Sequence, residues 1–159
     1  MMTKDTGYGT YKNILICTDF SENADFAFRL AVGAAGRHDG STLTLLHVLP
    51  EAEAQFWKNY IYDVEDVDAK AKADIDRKID ETYRPLLVPG VELKVVFKIG
   101  NPAQEIIKYA NENKSDLVVL GRQGKGLVFY GNVAARVARH ADCPVLVVPM
   151  AFASRSEFH

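Results

Sequence analysis

A chain of 159 residues has the length of one ordinary domain and can bury most of its apolar surface in a single core. With 48% hydrophobic and 25% charged residues, its composition is that of a globular protein and argues against a disordered or membrane-embedded chain. A net charge of −2 and a sequence pI near 6.1, with no basic run, give no general attraction to nucleic acid or to a membrane surface, so neither is expected as a partner. No apolar stretch approaches the length of a membrane span, and the opening MMTKDTGYGTYKN has charges and glycines where a secretion signal needs an apolar core, so a cytoplasmic location is expected. Cys17 and Cys143 lie beside or within apolar runs without ligand spacing, which reads as two reduced, buried thiols. The histidines, His38, His47, His140 and His159, show no metal-site spacing either.

Residues 1–10 are polar and glycine-containing and read as a mobile extension, 11–150 as the folded domain, and 151–159 as a tail without clear pattern. Asn13 to Cys17 is an almost continuous apolar run, which suits a strand covered on both faces. Ser21 is placed to cap a helix running to about Arg37, with Ala24, Ala27, Phe28, Ala31 and Ala35 on one face. Asp19 then stands at the carboxyl end of the first strand, where it can shape the corner or accept hydrogen bonds from a ligand's hydroxyls. Thr42 to Val48 is the second strand, and His47 near its end reads as an imidazole bonded to neighbouring backbone, since no nucleophile or carboxylate can be set beside it. The aromatic cluster Phe56, Trp57, Tyr60, Ile61 and Tyr62 can cover a pocket, pad a subunit contact or extend the core, the last being the default.

A long helix from about Val64 to Arg84 follows, with Val67, Ala71, Ile75, Ile79 and Tyr83 spaced by four and a charged opposite face. Pro85 and Pro89-Gly90 end it. Val91 to Ile99 alternates with Glu92, Lys94 and Lys98, which places this third strand at a sheet edge. Asn101 as N-cap, Pro102 at the first helical position and Gln104 after them start another helix that stops near Asn113. The chain closes on a buried strand (Leu117 to Leu120), a glycine-rich loop (Gly121 to Gly131), a short helix opening at Asn132 and a last strand (Val145 to Val148).

Glycines 121, 124, 126 and 131 allow backbone N–H groups to face outward just before a helix N-terminus, a setting that suits a phosphate. The loop matches neither G-x-x-x-x-G-K-[ST] nor G-x-G-x-x-G, and a plain strand-to-helix connection capped by Asn132 accounts for it as well. The alternation of strands and helices implies right-handed crossovers and a parallel, doubly wound α/β sheet of five strands in the order 3-2-1-4-5, with helices on both faces. In such a sheet the ligand crevice lies beyond the carboxyl ends of strands one and four, where Thr18, Asp19 and the Gly121 loop converge.

The stretches YKNILICTDFS, LTLLHVLP, IGNPAQEIIKYANENKSDLVVLGRQGKG and GNVAARVARHADCPVLVVP together resemble the A type of the universal stress protein family, over nearly all of Tyr11 to Pro149. The resemblance implies an adenine nucleotide alpha hydrolase-like fold, binding of ATP or AMP, with Mg²⁺ as a possible companion, and a stress-response regulatory role. It also implies a homodimer through Pro144 to Pro149, and it leaves a dimeric interaction protein without nucleotide as the alternative, because some members bind none. Carried over residue by residue, the nucleotide set is Thr18, Asp19, Val48, Gly121, Gly124, Gly131, Asn132 and Val133, to which Arg122 and Lys125 add positive charge. The nucleotide-binding pattern resembles G-x-x-G, nine residues, G-[ST]; this chain has six residues between Gly124 and Gly131, and Asn132 in place of Ser or Thr. Adenine and ribose recognition is expected to survive with the phosphate grip altered. Hydrolysis is the least expected activity, at most a slow ATPase, because Asp19 is the one obvious carboxylate near the crevice.

Overall fold

A computed structural model describes residues 10–50, 67–122 and 133–149, together with Phe152 and Arg155. The elements are β1 (Asn13–Thr18), α1 (Glu22–Ala35), β2 (Thr42–Pro50), α2 (Val67–Thr82), a 3-10 turn (Arg84–Leu86), β3 (Glu92–Gly100), α3 (Pro102–Glu112), β4 (Leu117–Arg122), α4 (Val133–His140) and β5 (Val145–Pro149). The aromatic cluster at 56–62 and the start of the long helix at 64–66 fall outside the described residues, as do the expected N-terminal extension through residue 9 and most of the tail.

The five strands form one parallel sheet in the order β3-β2-β1-β4-β5, the order expected with β3 at an edge and β1 central. Side-chain parity along the central strands divides the core in two. Ile14, Ile16, Leu43, Leu45, Leu117 and Val119 pack toward α1 and α2, where they meet Ala27, Phe28, Ala31 and Ile79. Leu15, Cys17, Leu46, Val48, Val118 and Leu120 face α3 and α4, against Ala103, Ile106, Ala110, Val133 and Val137. Each strand residue is thus covered whichever way it points, which is why these strands read as continuous apolar runs. The small residues of α1 let that helix lie close on the sheet, and Phe28, fully buried, contributes on the order of 2–3 kcal/mol of apolar burial.

Local chemistry sets most element ends. Ser21 accepts the Ala24 N–H at 3.2 Å and caps α1. Asn101 accepts the Gln104 N–H at 3.1 Å and caps α3 ahead of Pro102. β3 lies at the sheet edge with Glu92, Lys94 and Lys98 exposed, as expected from its alternation.

Several boundaries differ from expectation, among them that of α2, which stops at Thr82 where Arg84 was expected. β2 runs to Pro50, because its register with β3 continues to the Pro50–Gly100 pair. β4 runs to Arg122, paired with Pro149, so Gly121 and Arg122 are strand residues where a loop was expected. α1 stops at Ala35, two residues early, where Gly36 caps it and the Arg37 and His38 N–H groups turn back to Ala34 and Ala35 in tighter, three-residue bonds. Among the described residues no helix is long and apolar enough to cross a membrane.

Candidate functional site

All parallel strands end on one rim, and the helices that follow them begin there. A cleft opens on that rim between β1 and β4. It is lined by Cys17, Thr18 and Asp19 of the β1 end, Leu46 and Val48 of β2, Leu120 and Gly121 of β4, Ala24 of α1, Pro102 and Ile106 of α3, and Val133 of α4. The cleft holds about 440 Å³ of empty space, a figure that includes space open to solvent. Its wall is apolar, and Asp19, half-buried, supplies the carboxylate at its edge.

Of the ten residues singled out from sequence, the structure brings Thr18, Asp19, Val48, Gly121 and Val133 together here. Arg122 closes β4, and its side chain falls outside the described residues. Gly124, Lys125, Gly131 and Asn132 also lie outside them.

The corner after β1 is built by its own side chains. The Asp19 carboxylate accepts the Ser21 N–H at 2.9 Å, and Thr18 Oγ1 accepts the Phe20 N–H at 2.9 Å. Between them Phe20 adopts φ of +61°, a left-handed conformation that an L side chain rarely takes. His47 is buried, and its Nδ1 donates to the Thr18 carbonyl at 2.9 Å, the backbone-bonded role expected of it. Its ring packs on Phe20 and Phe97, with centroids 4.8 and 5.9 Å away.

Gly121 owes its identity to packing. A Cβ there would stand 2.8 Å from Asn23 Nδ2 and 3.1 Å from the Asn23 carbonyl oxygen. The first turn of α1 rests directly on the β4 backbone, and Asn23 Nδ2 donates to the Val148 carbonyl of β5 at 2.9 Å. Asn23 thereby ties α1 to the two strands beside the cleft.

Burial pushes the Cys17 thiol well up, so it lines the cleft as a protonated, unreactive group, whereas Cys143, also expected to be buried, is only half-buried because it precedes the edge strand β5. Among the described residues no group of three or more His, Cys, Asp or Glu side chains is arranged to hold a metal ion.

Sequence reasoning missed Cys17, Ala24, Leu46, Pro102, Ile106 and Leu120 as lining, and Asn23 and Tyr83 as supports. Two signals pointed to part of this set. Pro102 opens a helix and so must sit on the carboxyl rim, and Leu46 and Leu120 share strand parity with Val48 and Cys17.

The universal stress protein family profile matches residues 10–149. The chain belongs to that family. A Staphylococcus aureus relative (strain USA300) named for the same family is 34% identical over 145 residues, covering 87% of this chain and 84% of its own length. The structure of the protein MJ0577 superposes with a TM-score of 0.72 at 29% identity, over 88% of this family member and 96% of that chain. The universal stress protein UspA of Lactobacillus plantarum superposes with a TM-score of 0.63, also at 29% identity, over 87% and 97%. Two further neighbours at 22% identity and a TM-score of 0.60 were solved with ligands, one universal stress protein with cAMP and one from Archaeoglobus fulgidus with dAMP. At that identity the likeness speaks for the fold.

Proposed function

We propose that this universal stress protein binds an adenine nucleotide in the cleft between β1 and β4 and that occupancy of the cleft is its regulatory output in a stress response. The observation that carries the reading is that Thr18, Asp19, Val48, Gly121 and Val133, drawn from separate elements of the chain, line one cleft. Its apolar wall suits a planar base, and Asp19 can accept from ribose hydroxyls. Phosphates would then extend toward the glycine loop, where Arg122, Gly124, Lys125, Gly131 and Asn132 would hold ATP or AMP, with Mg²⁺ if a triphosphate is bound. The cAMP and dAMP complexes of two family neighbours support a nucleotide in this fold. Binding alone suffices for regulation, since a ligand taken up by one state stabilises that state by mass action. Turnover is at most slow, because hydrolysis needs a positioned base as well as a held Mg²⁺, and Asp19 is the one carboxylate lining the cleft among the described residues.

Calorimetric titration with ATP·Mg²⁺ and with AMP tests the reading, with Val48→Phe as the variant that fills the base slot. Saturable binding that weakens at least about tenfold in the variant is the expected result, equivalent to roughly 1.4 kcal/mol. Absence of binding up to millimolar nucleotide, in protein confirmed free of co-purified ligand, would overturn it.

One observation favours a second reading, a dimeric interaction protein. β5 ends the sheet and pairs with β4 alone among the described strands, and Leu146 on it is 41% exposed. An apolar edge strand of this kind can pair with its own copy through Pro144 to Pro149.

A further inference from the structure

The corner that carries Thr18 and Asp19 is held from the far side of the sheet. Ile14 and Ile16 point toward α1 and α2, and Thr18 follows their parity, while Cys17 faces the cleft. Thr18 Oγ1 lies 2.5 Å from the hydroxyl of Tyr83, the residue that extends α2 by one further helical bond to Ile79. Tyr83 in turn donates to Asp25 Oδ1 of α1 at 2.6 Å. Its single proton is used there, so Thr18 must donate to the Tyr83 oxygen while it accepts from the Phe20 N–H. The Thr18 hydroxyl is thereby fixed in one orientation.

Fixing it matters because Phe20 stands at φ of +61°, a conformation that costs an L residue on the order of 1–2 kcal/mol and persists only where its surroundings impose it. The Phe20 ring is held by Tyr83 at 6.0 Å and His47 at 4.8 Å, with the Lys78 ammonium 5.3 Å above it. Tyr83 is itself fully buried, and its ring also packs on Phe28, with centroids 4.6 Å apart. Burial, and then the bond to Asp25, push the Tyr83 phenol well up, so it stays a neutral donor.

We propose that Tyr83 is a positioning residue for the ligand corner: its hydroxyl, through Thr18, sets the Thr18–Asp19–Phe20 backbone and so aims the Asp19 carboxylate. As a statement about ligand binding, this rests on the nucleotide reading of the cleft. It couples the end of α2 to the cleft from the opposite face of the sheet, and by reciprocity a ligand on Asp19 stabilises the Tyr83 link.

The test begins without ligand, by amide exchange followed by NMR in Tyr83→Phe, which keeps the ring and removes the hydroxyl. The Phe20 amide should lose protection about fivefold or more beyond any change at mid-helix α1 amides, the loss expected for one neutral hydrogen bond. Tyr83→Phe combined with Asp25→Asn, which removes the carboxylate left without its donor and keeps Thr18 Oγ1 as the acceptor for Phe20, decides the matter if Tyr83→Phe alone does not fold. Thr18→Ser, which keeps the hydroxyl, should hold protection at the native level. Unchanged relative protection at Phe20 would overturn the proposal.

Calorimetry with AMP then asks whether Tyr83 acts through Asp19. Tyr83→Phe should weaken binding about fivefold in the native background and leave it unchanged in Asp19→Ala. Fully additive losses, or no loss, would overturn the positioning role. If the native protein takes up no adenine nucleotide, the nucleotide reading fails by itself, and the amide experiment still decides the corner.

Discussion

Gly121 carries a steric demand that its place beside a glycine loop conceals. The space a methyl group would fill is occupied by Asn23, which cannot swing away without losing its bond to Val148. Gly121→Ala should therefore destabilise the protein by about 1–3 kcal/mol, the usual cost of overpacking, read as a lower urea midpoint. An unchanged midpoint would show that α1 can lift from β4 freely. Asp25 has a different signature. Burial raises its pKa above the ordinary carboxylate value, with the Tyr83 bond opposing the shift. A raised folded-state pKa means that the folded protein holds more protons than the unfolded chain in that window, so Asp25 contributes a loss of stability as pH rises through it. Asp25→Asn, which still offers an oxygen to Tyr83, should remove that part of the slope. Unfolding measured between pH 3 and pH 7 should show the variant gaining on the native protein as pH rises, then running parallel to it. At this scale the sequence was legible in part: Asp19 and Ser21 announced a corner and a cap, and both form. Tyr83 was legible as a buried member of a spaced-by-four stripe, but its partners Thr18 and Asp25 lie 65 and 58 residues away in sequence, where no periodicity points.

At the scale of elements, α3 shows what local signals can settle. Its start is written in Asn101-Pro102 and its stop near Asn113 was also foreseen. The stop is completed by Lys114 at φ of +52°, with the Ser115 N–H donating to the Ala110 carbonyl at 2.9 Å, a Schellman arrangement in which glycine is usual. Lys114→Gly should stabilise the protein by about 1 kcal/mol, since glycine takes this conformation without the penalty borne by a Cβ. A lower melting temperature in that variant would contradict the account. Strand ends were less legible. β2 and β4 overran their expected limits because their last residues pair with β3 and β5, and a strand's end is set by the neighbour's backbone rather than by its own composition.

At the scale of the whole molecule, the exposed edge of β5 carries the prediction. A homodimer through this strand should appear in sedimentation at micromolar concentration, and Leu146→Glu, placing a charge on the 41% exposed position, should shift it to monomer. A native protein that sediments as a monomer under the same conditions would exclude that interface.

Sequence by itself determined the parallel, right-handed winding and, through the charged alternation of 92–98, put β3 at an edge, which made the observed order the expected one among those such winding admits. It also determined which side of the sheet the cleft would occupy, since ligand crevices lie at the carboxyl ends where the winding reverses. Tertiary structure alone decided which side chains wall the cleft and what holds its corner. Ala24, Pro102 and Ile106 reach it from two helices on opposite faces, Gly121 is fixed by Asn23, and Thr18 is fixed by Tyr83. Those relations depend on distances between segments far apart in the chain, and a local pattern records only which way a residue faces, not what it meets.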